Sequence, residues 1–229
     1  MNKFKHLEEL KLKKNAIILA HYYQDPDIQD VADYMGDSLA LAQYAQQTTA
    51  DIILFCGVHF MSETAKILNP NKTVLIPDLE AGCSLADSAS TKEFKKWVNS
   101  YENATVISYI NCTAEVKAMS DIICTSSNAE KIINSIPKDK QILFAPDKYL
   151  GQYQIKKTGK DLILWNGYCQ VHAIFSLKDL IKLKVRHPNA ETLAHPECDE
   201  TLLEQADYIG STTALIKRTQ TSKAKKFII

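Results

Sequence analysis

One pattern recurs three times along the 229 residues, and it restricts the fold more than any other feature. Each copy begins with an apolar run that ends in polar residues, as AIILAHYY does at 16–23. The ends of the three runs, at positions 21, 109 and 195, are 88 and 86 residues apart. The second half recurs as well, because ILFCGVHF at 53–60 matches ILFAPDKY at 142–149. A period of this length indicates three related structural units.

Amphipathic segments separate these short apolar runs. SLKDLIKLKVRH at 176–187 has its apolar residues at helical spacing, whereas the runs are typical of strands. Strands that alternate with helices favour parallel sheets covered on both faces. We therefore predict an α/β fold of three pseudo-threefold-related α/β/α sandwich domains. The predicted units are 1–100, 101–187 and 188–229, and the third is expected to be incomplete because KKFII at 225–229 only begins a third copy of the second half.

Polar residues follow the first strand of each predicted unit. Ligands of parallel α/β sheets bind beyond the carboxyl ends of the strands. If the three units pack around a pseudo-threefold axis, the polar groups would meet in one central pocket. The three clusters are His21-Tyr22-Tyr23, Tyr109-Ile110-Asn111 and His195-Pro196-Glu197.

Two of the six cysteines share a position in the repeat. Cys83 and Cys169 are 86 residues apart, and each follows a strand within polar sequence. The same period would place a third equivalent at roughly position 255, so that three thiolates could bind one metal cluster. The alternative is that each is a small buried loop cysteine. Outside this register, Cys56, Cys124 and Cys198 are predicted to be structural.

Hydroxyl side chains stand where three helices are expected to begin, at Ser38, Ser126 and Thr212. N-capping of the helices would explain each of them. A helix N-terminus also binds carboxylate or phosphate, so three such termini would suit a polyanionic substrate. Among the histidines, the candidates for function are His21, His172 and His195, with structural hydrogen bonding as the alternative.

The charge balance argues against some partners. Lys plus Arg and Asp plus Glu number 27 each, so no net positive field favours phosphate neutralisation, and we predict no nucleic-acid partner. The first apolar run, AIILA at 16–20, is too short for a signal peptide or a membrane span. We therefore predict a cytoplasmic protein without a membrane partner, in which disulfides are not expected.

Six strings, in order, resemble those of quinolinate synthases, which are iron–sulfur enzymes of pyridine-ring biosynthesis. The strings are LAHYYQDPDIQDVADYMGDS (19–38), FCGVHFMSETAKILNP (55–70), YINCTAEVKAMSDIICTSSNA (109–129), NGYCQVH (166–172), AHPEC (194–198) and ADYIGSTT (206–213). They extend over most of the chain. The combination is far more specific than any single cysteine or histidine.

This resemblance implies that iminoaspartate condenses with dihydroxyacetone phosphate to give quinolinate, phosphate and water for NAD synthesis. It also implies three α/β/α domains around a 4Fe-4S cluster, whose open iron is a Lewis acid. Cys83 and Cys169 match two of the three cluster ligands, and the third is expected beyond residue 229. The family depends on an aspartate-oxidising enzyme to supply iminoaspartate, which makes that enzyme an expected functional partner.

The chemistry of the side chains at the matching positions suggests roles for individual residues. Glu197 would be the general base for proton shifts, with His195 orienting it or relaying protons. Tyr23 and Tyr109 would donate hydrogen bonds to substrate oxygens. The substrate pocket would be formed by His21, Ser38, Tyr109, Ile110, Asn111, Ser126, His172, His195, Pro196, Glu197 and Thr212.

Two alternatives remain open from the sequence. The first is a truncated, non-catalytic remnant that binds small dicarboxylates without a stable cluster, and the missing third cysteine is the feature that favours it. The second is an unrelated α/β metabolite-binding repeat protein with structural cysteines. That second alternative would require the six ordered matches to be accidental.

Overall fold

Strands and helices alternate along residues 3–229, which are the residues described by this computed structural model. The strands are β1 (Ala16–His21), β2 (Tyr34–Gly36), β3 (Ile52–Cys56), β4 (Thr73–Leu75), β5 (Thr105–Tyr109), β6 (Ile122–Cys124), β7 (Ile142–Ala145), β8 (Ile163–Leu164), β9 (Glu191–Ala194), β10 (Tyr208–Ile209) and β11 (Phe227–Ile228). The helices are α1 (Lys3–Lys14), α2 (Pro26–Val31), α3 (Ser38–Gln47), α4 (His59–Leu68), α5 (Ser84–Asp87), α6 (Thr91–Val98), α7 (Ala114–Ala118), α8 (Ala129–Ser135), α9 (Lys148–Thr158), α10 (Gln170–Ala173), α11 (Leu177–Arg186), α12 (Glu200–Leu203) and α13 (Thr212–Thr221).

The strands form three parallel sheets with the same internal order. The orders are β2-β1-β3-β4, β6-β5-β7-β8 and β10-β9-β11. In each sheet, the first strand in the sequence (β1, β5 or β9) lies in the interior of the sheet, between the second and the third strand of that sheet. The predicted α/β class with parallel sheets is confirmed, and the third sheet is the smallest.

The chain separates into two compact units, the first ending at Cys83 and the second beginning at Ser84. The first unit contains the sheet of β1 to β4, where Ile18, Ala20 and Cys56 form a buried apolar cluster. The second unit contains the other two sheets. Its buried cluster includes Phe94 and Val106, and partly buried aromatic and apolar residues pack around that cluster. The predicted unit boundaries after residues 100 and 187 stay predictions, and residues 1 and 2 of the first predicted unit lie outside the described residues.

An aspartate recurs with the sheets and joins two neighbouring strands in each. The backbone N–H of Ile18 donates to Asp33 Oδ2 at 2.7 Å, and the N–H of Asp33 donates to the Ile18 carbonyl at 2.9 Å. The same reciprocal pair, also 15 residues apart, forms between Val106 and Asp121 and between Thr192 and Asp207. This aspartate clasp pairs the strand N–H with a carboxylate just before the neighbouring strand begins, and so helps to set the strand register.

The loops that follow the strands carry the caps of the next helices. Asp37 accepts a hydrogen bond from Ala40 N at the start of α3, and Asp147 accepts one from Leu150 N at the start of α9. These caps satisfy N–H groups that the first helical turn leaves unpaired. The strand ends and helix N-termini that carry the candidate residues are thereby held by local hydrogen bonds. Within the described part of the chain, no helix has the length and apolar character needed to cross a membrane.

Candidate functional site

The ends of β5 and β9 bring two of the predicted polar clusters together in the second unit. The Tyr109 hydroxyl donates a hydrogen bond of 2.6 Å to Glu197 Oε1. Nearby, His195 Nε2 lies 3.1 Å from the Ser126 hydroxyl oxygen, within hydrogen-bonding distance. Three of these side chains are buried, and Ser126 is half-buried. Tyr109 and Glu197 are 88 positions apart in the sequence, and Ser126 and His195 are 69 apart, yet the members of each pair are in contact at the site.

Glu197 is a buried carboxylate among histidines, with 3% of its surface exposed. Its Oε2 lies 3.3 Å from His172 Nδ1, and its Oε1 lies 3.6 Å from His195 Nδ1. Burial opposes ionisation, but the contact with His172, the charges of both histidines and the Tyr109 hydroxyl outweigh it and lower the pKa of Glu197. The pKa of His172 is raised, because its contacts with Cys169 and Glu197 outweigh the effect of burial. The two pKa shifts therefore favour a carboxylate beside an imidazolium, and the contact is one of charge, since His172 Nδ1 has no hydrogen-bond partner among the described residues.

Cys169 lies beside this ion pair, immediately before α10. Its sulfur, a ring nitrogen of His172 and a carboxylate oxygen of Glu197 all lie within 4.8 Å of one another. Thiolate, imidazole and carboxylate are all ligands of transition metals, and thiolates hold iron–sulfur clusters. Cys169 is only partly buried, whereas Cys56, Cys112, Cys124 and Cys198 are buried. Together with His172 and Glu197 it forms a donor set of the kind that holds a metal.

The cysteines predicted to be structural are buried. Cys56 and Cys124 end strands β3 and β6, and Cys198 is 6% exposed. Burial raises the pKa of Cys56 and Cys124, and it raises the pKa of Cys198 to about 11. Because the thiolate is the metal-binding form, these three are poor ligands in this fold. Cys112 is fully buried as well, and none of the six cysteines, all of which the structure describes, forms a disulfide.

Asp147 belongs to the same site, although it is not among the residues predicted from the sequence. Its side chain is completely buried, and its Oδ2 accepts a hydrogen bond from the Cys169 backbone N–H at 3.2 Å. Burial, followed by the negative charge of Glu197, raises the pKa of Asp147 to about 7. The repeat does not point to Asp147, because the matching residue of the first unit is Val58, which makes no side-chain cap. The one feature of the sequence that could have indicated Asp147 is its position just before a helix.

Three other predicted pocket residues lie close to these groups along the chain. Asn111 has a buried side-chain oxygen that no described residue pairs by a hydrogen bond. Such an atom is costly to bury, so it calls for a ligand or water. Ile110 is buried, and its N–H donates to the Cys124 carbonyl at 2.8 Å. Pro196 is buried between His195 and Glu197 in the sequence.

The predicted hydroxyl residues are not the helix caps. Ser38 and Thr212 are the first residues of α3 and α13, and the preceding residues, Asp37 and Ser211, supply the capping side chains. Ser126 lies in the turn before α8, whose cap position is Asn128. N-capping, the alternative role for Ser38, Ser126 and Thr212, is therefore wrong as an explanation for them. Their hydroxyl groups stand at helix starts without being used as caps.

The first unit carries the remaining predicted residues. His21 ends β1 and is 5% exposed, and burial lowers its pKa to about 4 against the opposing charge of Asp37. Its Nδ1 accepts a hydrogen bond from the Tyr23 N–H at 3.2 Å, so the neutral ring carries its proton on Nε2 and can donate there. The Tyr23 ring is 69% exposed. Cys83 is half-exposed, as Cys169 is in the second unit.

Comparison with known proteins identifies the family of the chain. A family model described as quinolinate synthetase A protein matches residues 5–229. A quinolinate synthase of Trichodesmium erythraeum is 62% identical over 226 residues, which are 99% of this chain and 70% of that protein. The quinolinate synthases of a Nostoc species and of Chloroherpeton thalassium are 60% and 61% identical, with the same shares covered. The chain therefore belongs to the quinolinate synthetase A protein family.

Proposed function

We propose that this chain acts as a quinolinate synthase in NAD biosynthesis and condenses iminoaspartate with dihydroxyacetone phosphate to quinolinate, phosphate and water. The observation that carries the proposal is that the Tyr109 hydroxyl and the His172 ring both contact the buried carboxylate of Glu197. Ring closure and loss of water need groups that take and return protons. The names of the relatives support the same reaction.

We assign proton acceptance to Glu197 and proton return to the histidines. The pKa of Glu197 is lowered and that of His172 is raised, which favours a proton acceptor and a proton donor 3.3 Å apart. The low pKa of Glu197 makes it a weak base while both histidines face it. A substrate that takes over the contact of one histidine would raise the pKa of Glu197 and so make it a stronger base. His195, in contact with Ser126, is suited to orient the substrate or relay protons.

Substrate recognition is proposed for polar groups of both units. In the second unit, the unpaired Asn111 oxygen and the Tyr109 hydroxyl are suited to polar substrate atoms. In the first unit, His21 can donate from Nε2. The other proposed contacts are Tyr23, Ser38, Ile110, Ser126, Pro196 and Thr212. The proposal includes a cytoplasmic location and an aspartate-oxidising enzyme as the source of iminoaspartate.

A 4Fe-4S cluster is the proposed cofactor, with Cys83 and Cys169 as two thiolate ligands. Their partial exposure supports this choice over the four buried cysteines. When bound, such a cluster supplies an iron that acts as a Lewis acid toward a substrate oxygen. The residues around Cys169 would hold the substrate beside that position and supply the protons.

The test of the base assignment is Glu197→Gln in the holoenzyme. Glutamine keeps the shape of the side chain but cannot accept the proton, and loss of a general base costs about 10²–10⁴-fold in rate. We expect quinolinate formation per intact cluster to fall by at least about a hundredfold. Glu200→Gln, on the exposed side of α12, is the matched control and should leave the rate unchanged.

A normal rate per cluster in Glu197→Gln would refute the base assignment. If the full chain binds a dicarboxylate but retains no iron, the result favours the alternative of a non-catalytic dicarboxylate-binding protein.

A further inference from the structure

Asp147 connects two loops that are far apart in the sequence. It lies just after β7, and both oxygens of its fully buried carboxylate accept backbone hydrogen bonds. Oδ1 accepts from Leu150 N at 2.7 Å and caps α9, whereas Oδ2 accepts from Cys169 N at 3.2 Å. The second bond spans 22 residues and ends on the backbone of a proposed cluster ligand.

The loop that precedes Cys169 is attached to the end of β7 at further points. The N–H of Lys148 donates to the Gly167 carbonyl at 2.9 Å, and Asp147 and Gly167 form a parallel bridge. A Cβ atom at Gly167 would lie 2.3 Å from Ser88 Oγ and 2.5 Å from the Pro146 carbonyl oxygen. Only glycine fits there without a shift, so the loop lies directly against its neighbours. The bond from Asp147 continues this attachment as far as Cys169.

We infer that Asp147 is a positioning residue, which holds the Cys169 backbone so that the thiol is presented in one orientation. This inference rests on the proposed role of Cys169 as a cluster ligand. A capping role alone does not require a buried carboxylate, because serine, threonine or asparagine caps a helix as well. Burying a carboxyl group is costly, and here both of its oxygens accept backbone hydrogen bonds. Groups that orient metal ligands in this way commonly alter metal affinity about 10–100-fold when they are replaced.

Asp147→Asn separates the two bonds of this side chain. Asparagine is as good an N-cap as aspartate, so its single oxygen can keep the shorter bond to Leu150 N. Its NH₂ group would then face the Cys169 N–H, where two donors meet and no hydrogen bond forms. The variant is therefore expected to retain the α9 cap and to release Cys169.

The direct measurement is amide hydrogen exchange, resolved at Cys169 and Leu150, in the cluster-free chain. In Asp147→Asn we expect exchange at Cys169 to become at least about tenfold faster, because the hydrogen bond that protects this amide is lost. Exchange at Leu150 should change little. Ser176→Ala, which removes the side-chain cap of α11 at an exposed position, should leave Cys169 exchange unchanged.

Unchanged Cys169 exchange in a folded Asp147→Asn chain would overturn the inference. The unmutated chain provides a test that does not depend on the variant folding, since an unprotected Cys169 amide there would overturn the inference equally.

A second measurement follows iron in the reconstituted holoenzyme. We expect Asp147→Asn to lose iron to a chelator at least about tenfold faster than the unmutated enzyme, and Ser176→Ala to match the latter. Equal rates for Asp147→Asn and the unmutated enzyme would overturn the positioning role toward the cluster. Cys169→Ser should bind far less iron. Normal iron in Cys169→Ser would refute the proposed ligand, while the exchange result would still decide whether Asp147 holds the loop.

Discussion

The hydrogen bond between Tyr109 and Glu197 should contribute measurably to the stability of the second unit. Its 2.6 Å length, its ionised acceptor and the burial of both residues indicate a charge-assisted bond worth about 1.5–3 kcal/mol. Tyr109→Phe alone should cost about 2 kcal/mol, since Glu197 keeps its two histidines. Glu197→Gln should cost about 3–5 kcal/mol, because it leaves buried imidazolium charge without its partner.

A double-mutant cycle measures how much the charge on Glu197 strengthens the bond, because the amide oxygen of glutamine can still accept from the Tyr109 hydroxyl. The double variant should be less destabilised than the sum of the single variants by about 0.5–1.5 kcal/mol. Urea unfolding followed by tryptophan fluorescence is the assay, because both tryptophans, Trp97 and Trp165, lie in the second unit. A cost of 2 kcal/mol corresponds to a shift of the midpoint by about 1 M urea.

The matched control cycle pairs Glu197→Gln with Tyr153→Phe, whose ring lies on α9 against Lys157. These two changes should add to within about 0.5 kcal/mol. A coupling below about 0.5 kcal/mol between Tyr109 and Glu197 would refute the reasoning, because it would mean that the charge on Glu197 does not strengthen the short bond.

Two further predictions concern the framework of the second unit, and the same unfolding assay measures both. Asp121→Ala removes the acceptor of the Val106 N–H and should lower the free energy of unfolding by about 1–2 kcal/mol. The control, Asp139→Ala at an exposed turn, should change it by no more than about 0.5 kcal/mol. Equal effects of the two variants would show that the aspartate clasp is dispensable. Gly167→Ala should lower the free energy of unfolding by about 3 kcal/mol, because the new Cβ would lie 2.5 Å from the Pro146 carbonyl oxygen. Gly159→Ala should lower it by about 1 kcal/mol, because the site has open space but its φ of 68° disfavours alanine. A cost at Gly167 no larger than that at Gly159 would contradict the close packing of the Cys169 loop.

The parallel sheets could be predicted because strand and helix periods are local properties of the sequence. The apolar runs at 16–20 and 142–145 became β1 and β7, and the amphipathic segment at 176–187 became α11. The burial of Cys56 and Cys124 followed from their strand positions in the same way. The 86-residue spacing predicted that Cys83 and Cys169 share a position in the repeat, and both are partly buried, whereas the other four cysteines are buried; their role as cluster ligands stays a prediction.

The caps and the aspartate clasp were harder to foresee. Asp33, Asp121 and Asp207 have the same spacing as the strand ends, so the signal was present in the sequence. Their role depends on which backbone N–H faces them, and that depends on strand register. Similarly, capping is decided by the backbone angles of one residue, and this placed the caps at Asp37 and Ser211, one position before the predicted hydroxyls.

The sequence by itself determined the family, the class of fold and the residue types available for chemistry, because these follow from local pattern and ordered motifs. Only the tertiary structure decided the electrostatics of the site. The pKa of Glu197 is lowered because Tyr109 and His172, 88 and 25 residues away, meet it in a buried place. Asp147 became part of the site for the same reason, since its bond to Cys169 N closes a separation of 22 residues. Distance and burial set such interactions, and neither can be obtained from residue order alone.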